Sequence, residues 1–199
     1  MRILLAIGAA CVLMTGCEPV SEQAPVIDIA FELTDENGDD VTSADYGGRL
    51  RLVFFGFTSC PDICPITLQN VGVALDTLGP LAERVTVLFI SIDPIRDTPE
   101  RLAVYTDAIH PRIIGLTGTY DQVTTVTSGF RTAFGYSAVV DGQERPLSRA
   151  EYEALEPEAA YTPFHSSRVY VIGERDELLD MIGYGSKPSF IAEKLREFL

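Results

Sequence analysis

Basic residues are scarce in this chain. Its 199 residues hold 15 Lys and Arg against 29 Asp and Glu, a formal net charge of −14. A phosphate backbone needs a basic surface, so this balance argues against nucleic acid as a partner. It also disfavours electrostatic docking on anionic lipid. Long apolar runs are lacking too: the uncharged stretch at 3–16 falls short of the roughly 20 residues that a membrane-spanning helix takes. Cysteine is limited to four residues and histidine to two, so where they fall is informative. The rest is ordinary. With 46% hydrophobic and 22% charged residues, disorder and low complexity are excluded, and the length suits one globular domain with a real core.

Arg2 followed by an apolar centre and small residues reads as an export signal. Its end, Leu13-Met14-Thr15-Gly16-Cys17, resembles the lipobox of bacterial lipoproteins, with Met14 where Leu is usual. The resemblance implies cleavage before Cys17 and acylation of that cysteine. The competing reading is an ordinary signal peptide or a short uncleaved anchor. The expected organisation is a lipoprotein signal at 1–16, a membrane tether at 17–25 and one domain at 26–199. Cys11 is lost with the signal, leaving Cys60 and Cys64 as the only unmodified thiols in an oxidising space outside the cytoplasm.

Strands alternate with helices along the domain. Alternation at 26–33 predicts a half-buried strand. Near-continuous apolar runs at 50–57 and 85–92 predict buried central strands. A helix between them ends at Gly79-Pro80, and Thr98-Pro99 opens another. A short strand at 113–116, a helix at 120–134, strands at 168–172 and 178–184 and a final helix from Pro188 complete the order. This is an α/β architecture with a single central sheet flanked by helices. The polar, acidic stretch 138–162 reads as an insertion with a short helix at 148–155.

The chemistry concentrates at Thr58-Ser59-Cys60-Pro61-Asp62-Ile63-Cys64-Pro65, where a buried strand hands over to a helix. Cysteines four apart at a helix head share one face, and the positive helix end favours thiolate. Such a pair can close a disulfide or clasp a soft metal. A purely structural bridge is the bland alternative; closing only three intervening residues constrains the unfolded chain little. Two thiolates leave a metal under-coordinated. His165 lies just before the 168–172 strand, and if that strand neighbours 50–57, the imidazole faces the cysteines. Two sulfurs and an imidazole suit Cu(I) and tolerate Cu(II). His110 reads as a residue capping a helix C-terminus. Asp93 reads as a loop acid paired with Arg96 or capping the next helix, or as a group orienting a ligand; Asp62 reads as a first-turn helix acid.

Phe55-Gly56-Phe57-Thr58, Cys60-Pro61-Asp62-Ile63-Cys64-Pro65, Ser91-Ile92-Asp93-Pro94 with Arg96-Asp97-Thr98-Pro99-Glu100, and His165-Ser166 before a strand together resemble the Sco/SenC family of copper-binding, thioredoxin-like proteins. The likeness runs from about residue 26 to 199. It implies a thioredoxin-like fold with a central mixed sheet, one copper held by Cys60, Cys64 and His165, and a role in assembling the copper centre of cytochrome c oxidase. Ser59 stands where the family has His, and Phe164 where it has an Asp before the ligand His. A carboxylate there would orient the imidazole.

The expected function is a copper metallochaperone, with Cys60 and Cys64 also a redox pair able to form a disulfide. The alternative is a thiol–disulfide reductase that keeps a client's copper-site cysteines reduced. A peroxidase lacks the Arg and Thr spacing such chemistry needs. A non-catalytic surface lipoprotein is the plain alternative. The expected partners are a cytochrome c oxidase subunit and a membrane, reached through the lipid on Cys17. The expected place is the extracytoplasmic side of a bacterial envelope, as a monomer and not a classical enzyme.

Overall fold

The computed structural model describes residues 28–199. The signal at 1–16, the tether at 17–25, Cys11 and Cys17 lie outside the described residues. Two strands with every residue buried form the middle of the molecule: β3 (Leu50–Gly56) and β4 (Val85–Ser91). They run parallel, with Leu50 opposite Val85 and Gly56 opposite Ser91. Parallel neighbours need a crossover, and α1 (Ile63–Leu78) supplies it. After β4, α2 (Pro99–Ile109) leads to β5 (Ile113–Thr117), again parallel to β4. Thr98 caps α2 by accepting from the Arg101 N–H at 3.3 Å, with Pro99 in its first turn, as its sequence predicts.

The other neighbours are antiparallel. β9 (Arg168–Ile172) flanks β3, and β10 (Leu178–Gly183) flanks β9. On the far side, β1 (Glu32–Asp35) and β2 (Asp40–Thr42) continue the sheet from β5. The spatial order is β10-β9-β3-β4-β5-β1-β2, a mixed seven-stranded sheet. β1 is shorter and later than the alternation at 26–33 suggests: among its described residues, 28–31 form no strand.

Side chains of β3 and β4 alternate between two cores, as the strand period requires. Leu50, Leu52, Phe54, Val87 and Phe89 face α1, α2 and α5 (Pro188–Arg196), where Leu68, Leu75, Leu102 and Leu195 meet them. Val53, Phe55, Leu88 and Ile90 face the opposite side, covered by Val123 and Val126 of α3 (Tyr120–Gly129) and by Phe130.

Two sequence expectations need correction. The helix read at 120–134 ends at Gly129, whose carbonyl accepts the Asp28 N–H at 3.0 Å. Arg131 then takes φ 51°, which breaks the helical path. The stretch 138–162 is no plain insertion loop. The chain forms β6 (Phe134–Val140), β7 (Gln143–Pro146), α4 (Arg149–Glu153) and β8 (Thr162–His165). The strands make a second, all-antiparallel sheet in the order β7-β6-β8, beside the central one. α4 falls within the helix read at 148–155 and is capped by Ser148, which accepts from the Glu151 N–H. Buried Tyr136, Tyr152 and Tyr161 give this arm a small core of its own.

Candidate metal centre

β3 ends at Gly56, and the chain turns through Thr58 and Ser59 to Cys60, whose N–H bonds back to Phe57 O at 3.2 Å. Asp62 is the N-cap of α1, and Cys64 lies in its first turn. The expected arrangement holds, with both sulfurs at the helix head. Sγ of Cys60 accepts the Cys64 N–H at 3.4 Å. Both are free thiols, Cys64 fully buried and Cys60 half-buried. Asp62 is exposed and makes no side-chain cap bond, so as a helix-head acid it stays away from the sulfurs.

The imidazole arrives from the other sheet. β9 lies beside β3, the adjacency the sequence argument requires, and β8 ends just before β9 with His165 opposite Phe134 of β6. Nε2 of His165 stands 3.5 Å from Sγ of Cys64, across 101 positions of chain. Nδ1 lies 3.0 Å from the Ser166 carbonyl. A carbonyl only accepts, so the ring proton belongs on Nδ1 and the Nε2 lone pair faces the sulfur. Phe54 and Phe57 hold the ring edge-on at 5.8 and 5.9 Å. Burial pushes the His165 pKa down, which favours the neutral ring. With Phe at 164, the Nδ1 side of the ring faces a main-chain carbonyl, that of Ser166. Phe164 itself lies half exposed over Gly135, where a Cβ would come within 2.5 Å of its ring.

The two sulfurs differ in acidity. The Cys64 thiol hydrogen-bonds the Cys60 sulfur and outweighs the cost of its burial. With the N–H groups of Cys64 and Asp62, it holds Cys60 down at about 5. Cys64 goes the other way: its hydrogen bond to Cys60, its burial and the nearby Cys60 and Asp97 charges raise it. Cys60 is therefore thiolate at neutral pH while Cys64 keeps its proton. Iodoacetamide is expected to label Cys60 with a rate that rises with pH around a midpoint of about 5, leaving Cys64 slow. A midpoint at the roughly 8.5 of a free thiol would contradict this asymmetry.

Three further groups, each built on a residue of the motifs that carry the family resemblance, shape the site. Gly56 is one: a Cβ there would meet the Phe89 ring at 2.6 Å and Sγ of Cys64 at 2.9 Å. Asp97 is another, fully buried. It accepts from the Thr58 N–H at 2.9 Å, the Thr58 hydroxyl at 2.6 Å and the Ser91 hydroxyl at 2.6 Å, so it pins the turn that carries Cys60. The third is the tyrosine group around Asp93. Asp93 pairs with Arg96 at 3.4 Å, as its loop reading expects, and also accepts from Tyr152 and Tyr161. His110 caps α2 away from the sulfurs, its ring beside Asp76 at 3.4 Å.

Among the described residues, no three His, Cys, Asp or Glu side chains are drawn together into a ready metal cage. The donor chemistry nonetheless fits a soft ion. Bond lengths of about 2.3 Å to sulfur and about 2.0 Å to imidazole nitrogen, as in zinc sites, place two donors of one ion no more than about 4.3 Å apart. Cys64 and His165 meet that limit at 3.5 Å.

A sequence model described as SCO1/SenC matches residues 19–199. Protein sco1 of Schizosaccharomyces pombe is 30% identical over 175 residues, 87% of this chain and 61% of that protein. A SCO2-like protein of Rickettsia felis is 33% identical over 205 aligned positions, 98% of this chain and 93% of that protein. This chain therefore spans less than two thirds of the fission-yeast protein and nearly all of the rickettsial one. Among solved structures, ScoI of Bradyrhizobium japonicum with copper bound superposes at a TM-score of 0.72 and 28% identity, covering 88% of this chain and 100% of that one.

Proposed function

This chain belongs to the SCO1/SenC family and shares the thioredoxin-like architecture of its solved members, and on that footing we propose that it carries one copper ion between Cys60, Cys64 and His165 and delivers it during assembly of the copper centre of cytochrome c oxidase. The observation that carries the reading is the imidazole lone pair aimed at Cys64 Sγ from 3.5 Å, with Nδ1 held by Ser166 O. Two sulfurs and one imidazole are a soft set that suits Cu(I) and accepts Cu(II). A structural zinc would want a fourth protein ligand. Copper is cargo here, so an open site serves release. Cys60, half-buried at the helix head, is the third donor of the proposed set.

The reduced full chain is expected to retain one copper per chain in equilibrium dialysis. The His165→Ala variant should keep its fold and bind at least about tenfold more weakly, a loss of about 1.4 kcal/mol. A reduced wild-type chain that retains no copper would overturn the reading.

A second reading rests on the acidity difference between the sulfurs. The Cys60 thiolate would attack a client disulfide, forming a mixed disulfide and releasing one client thiolate. Cys64 would then attack Cys60 Sγ, releasing the second client thiol as its own proton passes to it. Two electrons go to the client, and a Cys60–Cys64 disulfide remains. This chemistry needs no His165, so the His165→Ala variant separates the two roles.

For its place in the cell, we keep the lipid anchor on Cys17 and an extracytoplasmic position at a bacterial envelope. The support is the Leu13–Cys17 motif and the bacterial relative spanning nearly the whole chain. Among the described residues, no helix is long and apolar enough to cross a membrane.

A further inference from the structure

The loop from Ser91 to Thr98 faces both halves of the site. Asp97 holds the cysteine turn through Thr58. Four residues earlier, fully buried Asp93 reaches the arm that carries His165. One of its oxygens accepts from the Tyr161 hydroxyl at 2.5 Å and from the Tyr152 hydroxyl at 3.1 Å. Arg96 Cζ lies over the Tyr161 ring, 3.5 Å from its centre. Its guanidinium donates to the carbonyls of Pro157, Ala159 and Tyr161 at 3.2, 2.8 and 3.2 Å. The Tyr136 hydroxyl donates to the Ile92 carbonyl, and its ring stacks on Tyr152 at 3.6 Å.

Tyr161 immediately precedes β8, and His165 is the last residue of that strand. Fixing Tyr161 therefore fixes the register at which the imidazole meets Cys64. The sheet pairing of β8 with β6 transmits that position, since Tyr136 opposite Pro163 is tied to the same loop. Neither Asp93 nor Arg96 is among the site's donors, yet a buried carboxylate with two hydroxyl donors and a guanidinium would be an expensive ornament on a simple loop.

We propose that Asp93 and Arg96, acting through Tyr152 and Tyr161, are positioning residues that set the distance between the His165 imidazole and the sulfurs, separately from Asp97, which sets the cysteine turn. This rests on reading Cys60, Cys64 and His165 as one ligand set. The loop is then a two-armed bracket: one carboxylate for the sulfurs, one for the ring.

The test uses the full chain with Tyr152→Phe and Tyr161→Phe combined, which removes both hydroxyls and keeps both rings. Copper retention is expected to fall at least about tenfold, while the Cys60 alkylation rate stays at the wild-type value. Adding His165→Ala should cost nothing further, because both changes remove the same interaction. A structural weakening alone would instead add to the His165→Ala loss. Should the double variant not fold, Asp93→Asn, which keeps one acceptor oxygen and loses the charge, is expected to give a smaller loss of the same kind. In the metal-free protein, the His165 ring resonances are expected to shift in either variant. Copper binding equal to wild type, losses that add fully, or unmoved ring resonances each overturn the proposal. If wild type itself retains no copper, the ligand reading fails by that result, and the metal-free resonances alone decide the bracket.

Discussion

Cys64→Ala is expected to lower copper affinity more than about a thousandfold, the equivalent of about 4 kcal/mol. The residue is the hub of the site: its sulfur faces His165 Nε2, its thiol bonds the Cys60 sulfur, and its N–H donates to the same sulfur. Without it only one thiolate and one imidazole remain for a soft ion. The same change has a second consequence with a definite sign. The Cys64 thiol is the leading cause of the low Cys60 pKa, so its removal should move the alkylation midpoint up from about 5 toward the ordinary 9.0. At pH 7 Cys60 would then be mostly protonated, and its labelling rate would drop. Isothermal titration with copper and pH-dependent alkylation read the two effects independently. A variant that still binds copper within about tenfold of wild type would remove Cys64 from the ligand set.

Gly56→Ala should reach the site through packing alone. Gly56 ends a strand buried throughout, and the added methyl would lie 2.6 Å from the Phe89 ring and 2.9 Å from Cys64 Sγ. Neither neighbour has free space: Phe89 stacks against Phe54 and packs on Tyr105, and Cys64 is fully buried. Overfilling a core in this way costs about 1–3 kcal/mol. The urea midpoint should fall accordingly, and copper affinity should fall with it because the sulfur is displaced. Stability and affinity that both match wild type would mean the pocket yields without strain.

The central layer was readable because burial writes itself plainly into composition. The runs at 50–57 and 85–92 match β3 and β4 within a residue, and the Cys60/Cys64 spacing at a strand-to-helix junction located the sulfurs. The adjacency of β9 to β3 was a stated condition, and the sheet meets it. The second sheet was hidden for a physical reason. Gln143–Pro146 is exposed at every residue, so β7 carries no apolar alternation. One signal was available: Asp141-Gly142, with φ 53° and 76°, is a two-residue hairpin turn between Val140 and Gln143. The apolar residues at 120–134 extended the helix too far because Phe130 and Phe134 lie on its projected stripe, although they belong to a cap and a strand. Tyr136, Tyr152 and Tyr161 share no periodicity, and only the fold gathers them around Asp93. Asp97 stood in a quoted motif, but its role in pinning the cysteine turn was not legible, since a buried acid and a solvated one look alike in a loop.

The two sulfurs are unequally exposed. Cys64, in the first turn of α1, is fully buried, while Cys60 at the helix head is only half-buried. On the proposed ligand set, an incoming metal would meet Cys60 before Cys64, and a competing ligand from outside would also reach Cys60 first. On the copper-carrying reading proposed above, a receiving protein would trade its own ligand against Cys60, the sulfur that it can reach.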